Sequence, residues 1–140
     1  MIRKFQKADI PQVMNLWLNG NKDAHPFIPA RYWESNYEMV QEQIFQAEVY
    51  VCEIQGKIRG FIGIADHFIA GIFVAADYRS HGTGKQLLDY VKQKHSSLSL
   101  QVYEKNDRAA AFYLREGFHV SSSGYDESTG ETEYIMDWEP

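Results

Sequence analysis

The stretch Gly71-Ile72-Phe73-Val74-Ala75-Ala76-Asp77-Tyr78-Arg79-Ser80-His81-Gly82-Thr83-Gly84-Lys85 holds the residue types best placed to do chemistry. An apolar run enters a loop with glycines at 82 and 84, and a helix is expected to open near Lys85. The first turn of a helix presents free N–H groups and the positive end of its dipole, so it favours an anion. Gly82 and Gly84 let backbone approach a diphosphate closely, and Arg79 and Lys85 add positive charge on either side. His81 lies within reach of the same phosphates. The dinucleotide fingerprint G-x-G-x-x-G and the nucleotide loop G-x-x-x-x-G-K-[ST] are both absent. The pattern present is R-x-x-G-x-G. Taken alone, it also fits a helix N-terminus whose glycines only make a tight turn.

Other reactive side chains are fewer. His25, in the run His25-Pro26-Phe27-Ile28, has an ordinary pKa of about 6.5 that suits proton transfer near neutrality. It equally fits a loop histidine packed beside Pro26. Cys52 lies in an apolar run and reads as a small core residue. His67 and His95 have no partners at metal-ligand spacing, so no metal site is expected. Trp17, Phe27, Tyr32, Trp33 and Tyr37 recur at helical spacing and read mostly as core, with one or two left to line a cleft.

These residues need elements to hold them. Ile2–Gln6 alternates like a short strand. Asp9 reads as an N-cap, with Gln12 completing a capping box and Pro11 in the first turn. A helix then carries Val13, Met14, Trp17 and Leu18 and is expected to stop at Gly20. Asn21–Pro29 reads as a loop, and Arg31–Gln46 as a second helix. Glu48–Ile54 and Ile58–Ala65 form a hairpin around Gln55-Gly56-Lys57, and Phe68–Val74 is a third apolar run. After the glycine loop come a helix bearing Leu87, Leu88 and Val91, the strand Leu98–Tyr103, and the helix Arg108–Glu116 stopped by Gly117. Phe118–Tyr125 and Glu133–Trp138 make a last hairpin around Ser128-Thr129-Gly130. The order β-α-α-β-β-β-α-β-α-β-β predicts an α/β (α+β) fold. Its central sheet is mixed and mostly antiparallel, with about six or seven strands and about four flanking helices.

At R-x-x-G-x-G the sequence resembles the GNAT superfamily of N-acetyltransferases, whose loop [QR]-x-x-G-x-[GA] binds the pyrophosphate of acetyl-coenzyme A. Asn106-Asp107-Arg108-Ala109-Ala110-Ala111-Phe112-Tyr113-Leu114-Arg115-Glu116-Gly117-Phe118 matches the family's N-x-x-A-x-x-[FL]-Y-x-x-x-G-F. The element order fits the family over nearly all of the chain. Two positions depart: many members have proline where Ala76 sits and glycine where Ser80 sits.

The resemblance implies transfer of an acetyl group from acetyl-CoA to a primary amine, by direct attack within a ternary complex. The cofactor would lie along Ile72 and Val74, with its phosphates on Arg79, His81, Gly82, Thr83, Gly84 and Lys85 and a further contact at Asn106. A backbone N–H near Ile72 would face the thioester oxygen. Tyr113 matches the family's general acid. Lysine amines have a pKa of about 10.4, so forming the neutral amine at pH 7 costs about 4–5 kcal/mol, and a base is expected. Many members carry Glu at the position of Gln101, which cannot accept a proton. That leaves His25, Glu104 or a water chain. The acceptor is a small-molecule amine, a protein or peptide lysine, or an N-terminus; an acyl-CoA sensor without transferase activity is the alternative. Family members commonly form dimers through the last hairpin.

Composition bounds the rest. The 140 residues, 44% hydrophobic and 24% charged, suit a single domain, 1–140, with a sizeable core. A net charge of −5 argues against nucleic-acid binding through phosphates and slightly favours a cationic acceptor. No apolar run reaches the roughly 20 residues of a membrane helix. The Met-Ile-Arg-Lys start lacks a signal-peptide core, and the single cysteine fits a reducing, cytoplasmic setting.

Overall fold

A computed structural model describes residues 1–140. Seven strands form one sheet: β1 (Ile2–Lys4), β2 (Glu48–Ile54), β3 (Lys57–Ala65), β4 (Phe68–Val74), β5 (Leu98–Tyr103), β6 (His119–Asp126) and β7 (Glu131–Trp138). Their spatial order is β1-β2-β3-β4-β5-β7-β6. Every pairing is antiparallel except β4 with β5, which is parallel. The predicted mixed sheet is therefore the one observed.

Five helices cover it: α1 (Ile10–Ala24), α2 (Ala30–Ser35), α3 (Tyr37–Gln46), α4 (Thr83–Lys92) and α5 (Asp107–Arg115). Alternation along the strands divides the core in two. Leu98, Leu100 and Val102 of β5 pack with Leu87, Leu88 and Val91 of α4 and Tyr113 of α5. On the other side, Val49 and Val51 of β2 and Phe61 of β3 pack with Val13, Met14 and Trp17 of α1 and Trp33 of α2. The sheet thus carries α4 and α5 on one face and α1–α3 on the other.

Three local expectations are corrected. The first helix runs through Gly20 to Ala24, because Gly20 serves packing instead of termination. A Cβ there would come within 2.9 Å of the Phe73 ring, so the glycine lets α1 lie against β4. The helix expected over Arg31–Gln46 is two helices, broken at Asn36, whose Nδ2 donates to the Tyr32 carbonyl. The capping box of Asp9 and Gln12 does not form. Asp9 instead accepts from the Gln6 N–H and from Arg3, while Gln12 accepts from the Ile58 N–H on β3.

Candidate active site

β4 and β5 pair only at Phe68↔Ser99 and Ile69↔Leu100, and then diverge. The free edge of β4 has a defined polarity. The Ala75 N–H donates to the Arg59 carbonyl of β3, and the register places Gly60 opposite Val74, Phe61 opposite Phe73 and Ile62 opposite Ile72. Hydrogen-bonded and non-bonded pairs alternate in an antiparallel ladder, so Phe73 and Ala75 bond to β3. Ile72 and Val74 therefore turn their N–H and C=O groups into the gap, where an extended ligand can pair with them.

The chain leaves β4 through a turn at Ala76–Tyr78 and reaches α4 through Arg79–Gly82. Gly82 adopts φ +84°, a left-handed conformation that glycine takes without strain. It sets the loop N–H groups around the mouth of α4. Ser80 also has positive φ, at +66°. Its hydroxyl accepts from Arg108 on α5 at 3.1 Å, and Arg79 reaches the Val74 carbonyl at 3.2 Å and Asp23 of α1 at 3.4 Å. The loop is thus tied to helices on both sides. Thr83 is buried, and its methyl lies against Gly60, where an added Cβ would come within 3.2 Å. That leaves its N–H as the group facing the mouth.

Behind the gap, on the α4–α5 face, stands Tyr113, 8% exposed and flanked by the rings of Phe112 and Phe118. Burial raises its phenol pKa well above the ordinary value, so the hydroxyl keeps its proton at neutral pH.

In front of the gap, the α1–α2 connection brings an aromatic group together. His25 stacks on Trp33 at 5.2 Å and meets Phe27 and Tyr103 edge-on. Its Nδ1–H donates to the Asn21 carbonyl at 3.0 Å. Asn106 accepts the Ala109 N–H on Oδ1, capping α5, which turns its Nδ2 toward His25 Nε2 at 3.3 Å. Both ring nitrogens are therefore engaged, and burial lowers the His25 pKa against the opposing pull of the Asn21 carbonyl. The imidazole is neutral near pH 7.

Beyond Tyr103 the same sheet face continues onto β7 and β6. Glu133 sits opposite Tyr103, and Gly124 sits opposite Glu133. The Tyr103 hydroxyl donates to Asp126 at 2.6 Å, and Tyr32 of α2 meets Ser128 of the β6–β7 turn at 3.2 Å. Asp126 titrates low despite its partial burial, because Ser128 and Tyr103 donate to it. Glu133 titrates high, through burial and then the neighbouring Asp126 charge.

The acetyltransferase (GNAT) domain family matches this chain over residues 45–120. The peptidyl-lysine N-acetyltransferase YiaC of Escherichia coli (strain K12) is 38% identical over 140 residues, covering 99% of this chain and 96% of that protein. The chain belongs to the GNAT acetyltransferase family. Among solved structures, apo YjaB from Escherichia coli superposes with a TM-score of 0.86 at 20% identity, over 99% of this chain and 96% of that one. An aminoglycoside 6′-N-acetyltransferase complexed with coenzyme A gives 0.77 at 11% identity, over 99% and 96%. These two likenesses concern the fold.

Within this GNAT fold the expected residues other than Tyr113 fall into four groups. Ile72, Val74, Gly82, Thr83 and Gly84 line the gap and the helix mouth, with Arg79 and the exposed His81 on the loop between them. Lys85 is turned aside, bonded to Glu116 at 2.9 Å and to Asp89 at 3.2 Å. His25 and Asn106 are brought into contact, a link that no motif records. Glu104 stands apart: it lines an open groove with Ala110, Ala111 and Leu114 of α5 and Tyr134 of β7, not the Tyr103 face. Sequence reasoning missed Arg108, Tyr103, Asp126 and Glu133. Arg108 occupies an unspecified position of the second motif, and its nearness to Ser80 is a product of the fold. No helix is long and apolar enough to cross a membrane, and no cluster of His, Cys, Asp or Glu could hold a metal ion.

Proposed function

We propose that the protein transfers the acetyl group of acetyl-CoA to the side-chain amine of peptidyl lysine, through a ternary complex. The observation that carries this reading is the divergence of β4 and β5 after two residue pairs, with a glycine-shaped helix mouth at one end of the gap and Tyr113 behind it. The 38% identity to a protein named for peptidyl-lysine acetylation supports the acceptor class, as does the open carboxylate-bearing face of β7 and β6.

In this reading the pyrophosphate lies on the loop N–H groups of Gly82–Gly84, with Arg79 and Arg108 to neutralise it and His81 on the same loop. The pantetheine pairs with Ile72 and Val74. An N–H near Ile72 then stabilises the negative charge that develops on the thioester oxygen. The acceptor enters from the opposite face, past Tyr103 and Trp33. Attack of the neutral amine and collapse of the adduct break the C–S bond, and Tyr113 protonates the departing sulfur. His25, neutral and bonded on both nitrogens, holds Asn106 and through it the start of α5. Its place here is positioning, since the Nε2 lone pair a base would use already accepts from Asn106.

The test is thiol release from acetyl-CoA with a lysine peptide and a panel of small amines, together with mass spectrometry of the peptide. Release with the peptide and a single acetyl on its lysine is expected. Calorimetric binding of acetyl-CoA with no release for any amine would favour a sensor instead.

A further inference from the structure

The position at which many family members carry a glutamate on β5 holds Gln101 here, and His25 has no free lone pair. The incoming ammonium therefore needs another proton acceptor, and the acceptor-facing side of the sheet supplies one. Tyr103 marks that side, because its ring meets His25 and Phe27 of the α1–α2 connection. Glu133 is its direct cross-strand partner on β7, so the two side chains share a face one strand spacing apart, about 5 Å between Cα atoms.

The next position across, on β6, is Gly124, and a Cβ built there meets nothing within 4 Å. No side chain of β6 therefore covers the Glu133 position, and this end of the sheet face is open. Tyr32 of α2 and Ser128 of the β6–β7 turn meet at 3.2 Å across the same end of the molecule. The neighbouring polar groups already have partners. Asp126 accepts from Tyr103 and Ser128, Glu131 is paired with Lys105 at 3.0 Å, and His25 is bonded on both nitrogens. Glu133 has no hydrogen bond or ion pair of its own and is only half-exposed.

We infer that Glu133 is the group that receives the proton of the acceptor lysine, with Asp126 as the fixed negative charge beside it. The inference rests on the acetyl-transfer reading above. The lysine ammonium gives one proton to the Glu133 carboxylate, which later releases it to solvent. The neutral amine forms the C–N bond as the C–S bond breaks. Tyr113 gives its proton to the coenzyme sulfur and regains one from the attacking nitrogen. The products are the acetyl-lysine, the free thiol and one proton. The raised pKa of Glu133, caused by burial and by Asp126, makes it a stronger base than a free carboxylate.

Glu133→Gln keeps the side-chain shape, and Glu133→Asp keeps the charge. Steady-state kinetics of the full chain with acetyl-CoA and a lysine peptide, from pH 6 to pH 10, separate the possibilities. Glu133→Gln is expected to lower kcat about 10²–10⁴-fold at pH 7 with acetyl-CoA affinity unchanged by calorimetry. Its deficit should narrow about tenfold per pH unit as the amine approaches its own pKa of about 10.4, and Glu133→Asp should restore part of the rate. A wild-type pH profile in Glu133→Gln, or a loss equal at every pH, overturns the assignment of Glu133 alone. A wild-type protein that binds acetyl-CoA but acetylates no amine overturns the transfer reading itself.

Discussion

In the proposed reading, the working groups behind the β4–β5 gap are backbone amides of one loop and one helix turn, plus a single phenol on α5. In front of it they are five side chains from four separate places: His25 and Phe27 on the α1–α2 connection, Trp33 on α2, Tyr103 on β5 and Glu133 on β7. A backbone site must fix the chain's dihedral angles locally, so it leaves a compact sequence trace such as R-x-x-G-x-G. A side-chain site only needs strands and helices to converge, and its members keep ordinary local roles. One region is therefore read as a motif, while the other is read only after the register is known.

The contrast can be broken first at Tyr113. Tyr113→Phe should lower kcat about 10²–10⁴-fold while calorimetry shows unaltered acetyl-CoA binding. An unchanged kcat would remove the acid from the region behind the gap. A smaller effect is expected at Gly82. Gly82→Val forces a β-branched residue to φ +84°, a strain of about 1–3 kcal/mol, and acetyl-CoA affinity should fall roughly tenfold or more. Gly84 sharpens the point, because a Cβ there makes only ordinary contacts of 3.7–3.9 Å. Gly84→Ala should leave affinity within about threefold, in keeping with the alanine some family members carry there; a tenfold loss would show that both glycines shape the loop.

In front of the gap the expected effect is on pH dependence. His25 titrates below its unfolded value because burial disfavours the imidazolium. The folded state then binds fewer protons than the unfolded state as pH falls below about 6.5. Stability from this group is complete above that pH and declines toward the folded pKa, with a slope of at most about 1.4 kcal/mol per pH unit. Partial exposure reduces the total. Denaturant unfolding at a series of pH values should show this decline in the wild type and a flatter curve in His25→Ala. The smallest change is Ala76→Pro. Ala76 opens the turn after β4, and Ala75 before it is extended at ψ 142°, so proline fits both residues. The midpoint of thermal unfolding should rise by the equivalent of about 0.4–1 kcal/mol, with kcat unaltered.

Much of the fold was legible because period and punctuation agree: all seven strands and the helices α4 and α5 stand near their expected positions. Gly20 misled because a glycine late in a helix has two uses, stopping it or admitting a neighbour, and only the Phe73 ring distinguishes them. Asn36 misled because helical periodicity continues across a break made by one side-chain amide. At the site, Gly82, Asn106 and Tyr113 were visible as motif positions. Glu133 was not, since nothing local separates it from any polar strand residue; its meaning lies in the pairing with Tyr103 and the empty space at Gly124. The departure at Ser80 also acquires a physical sense. Its φ of +66° is one that glycine would adopt freely, and serine there adds a hydroxyl that accepts from Arg108.

The two residue pairs joining β4 to β5 also bear on how the molecule breathes. They are the only ladder contacts between a four-stranded half, β1 to β4, and a three-stranded half, β5 to β7. On the proposed reading, a coenzyme seated along Ile72 and Val74 would act there as an interior strand as well as a reactant, and the unliganded protein is a seam held at one end. Amide hydrogens of Ile72 and Val74 should trade with solvent deuterium quickly until that strand arrives and slowly once it has, while those paired between β2 and β3 stay protected throughout.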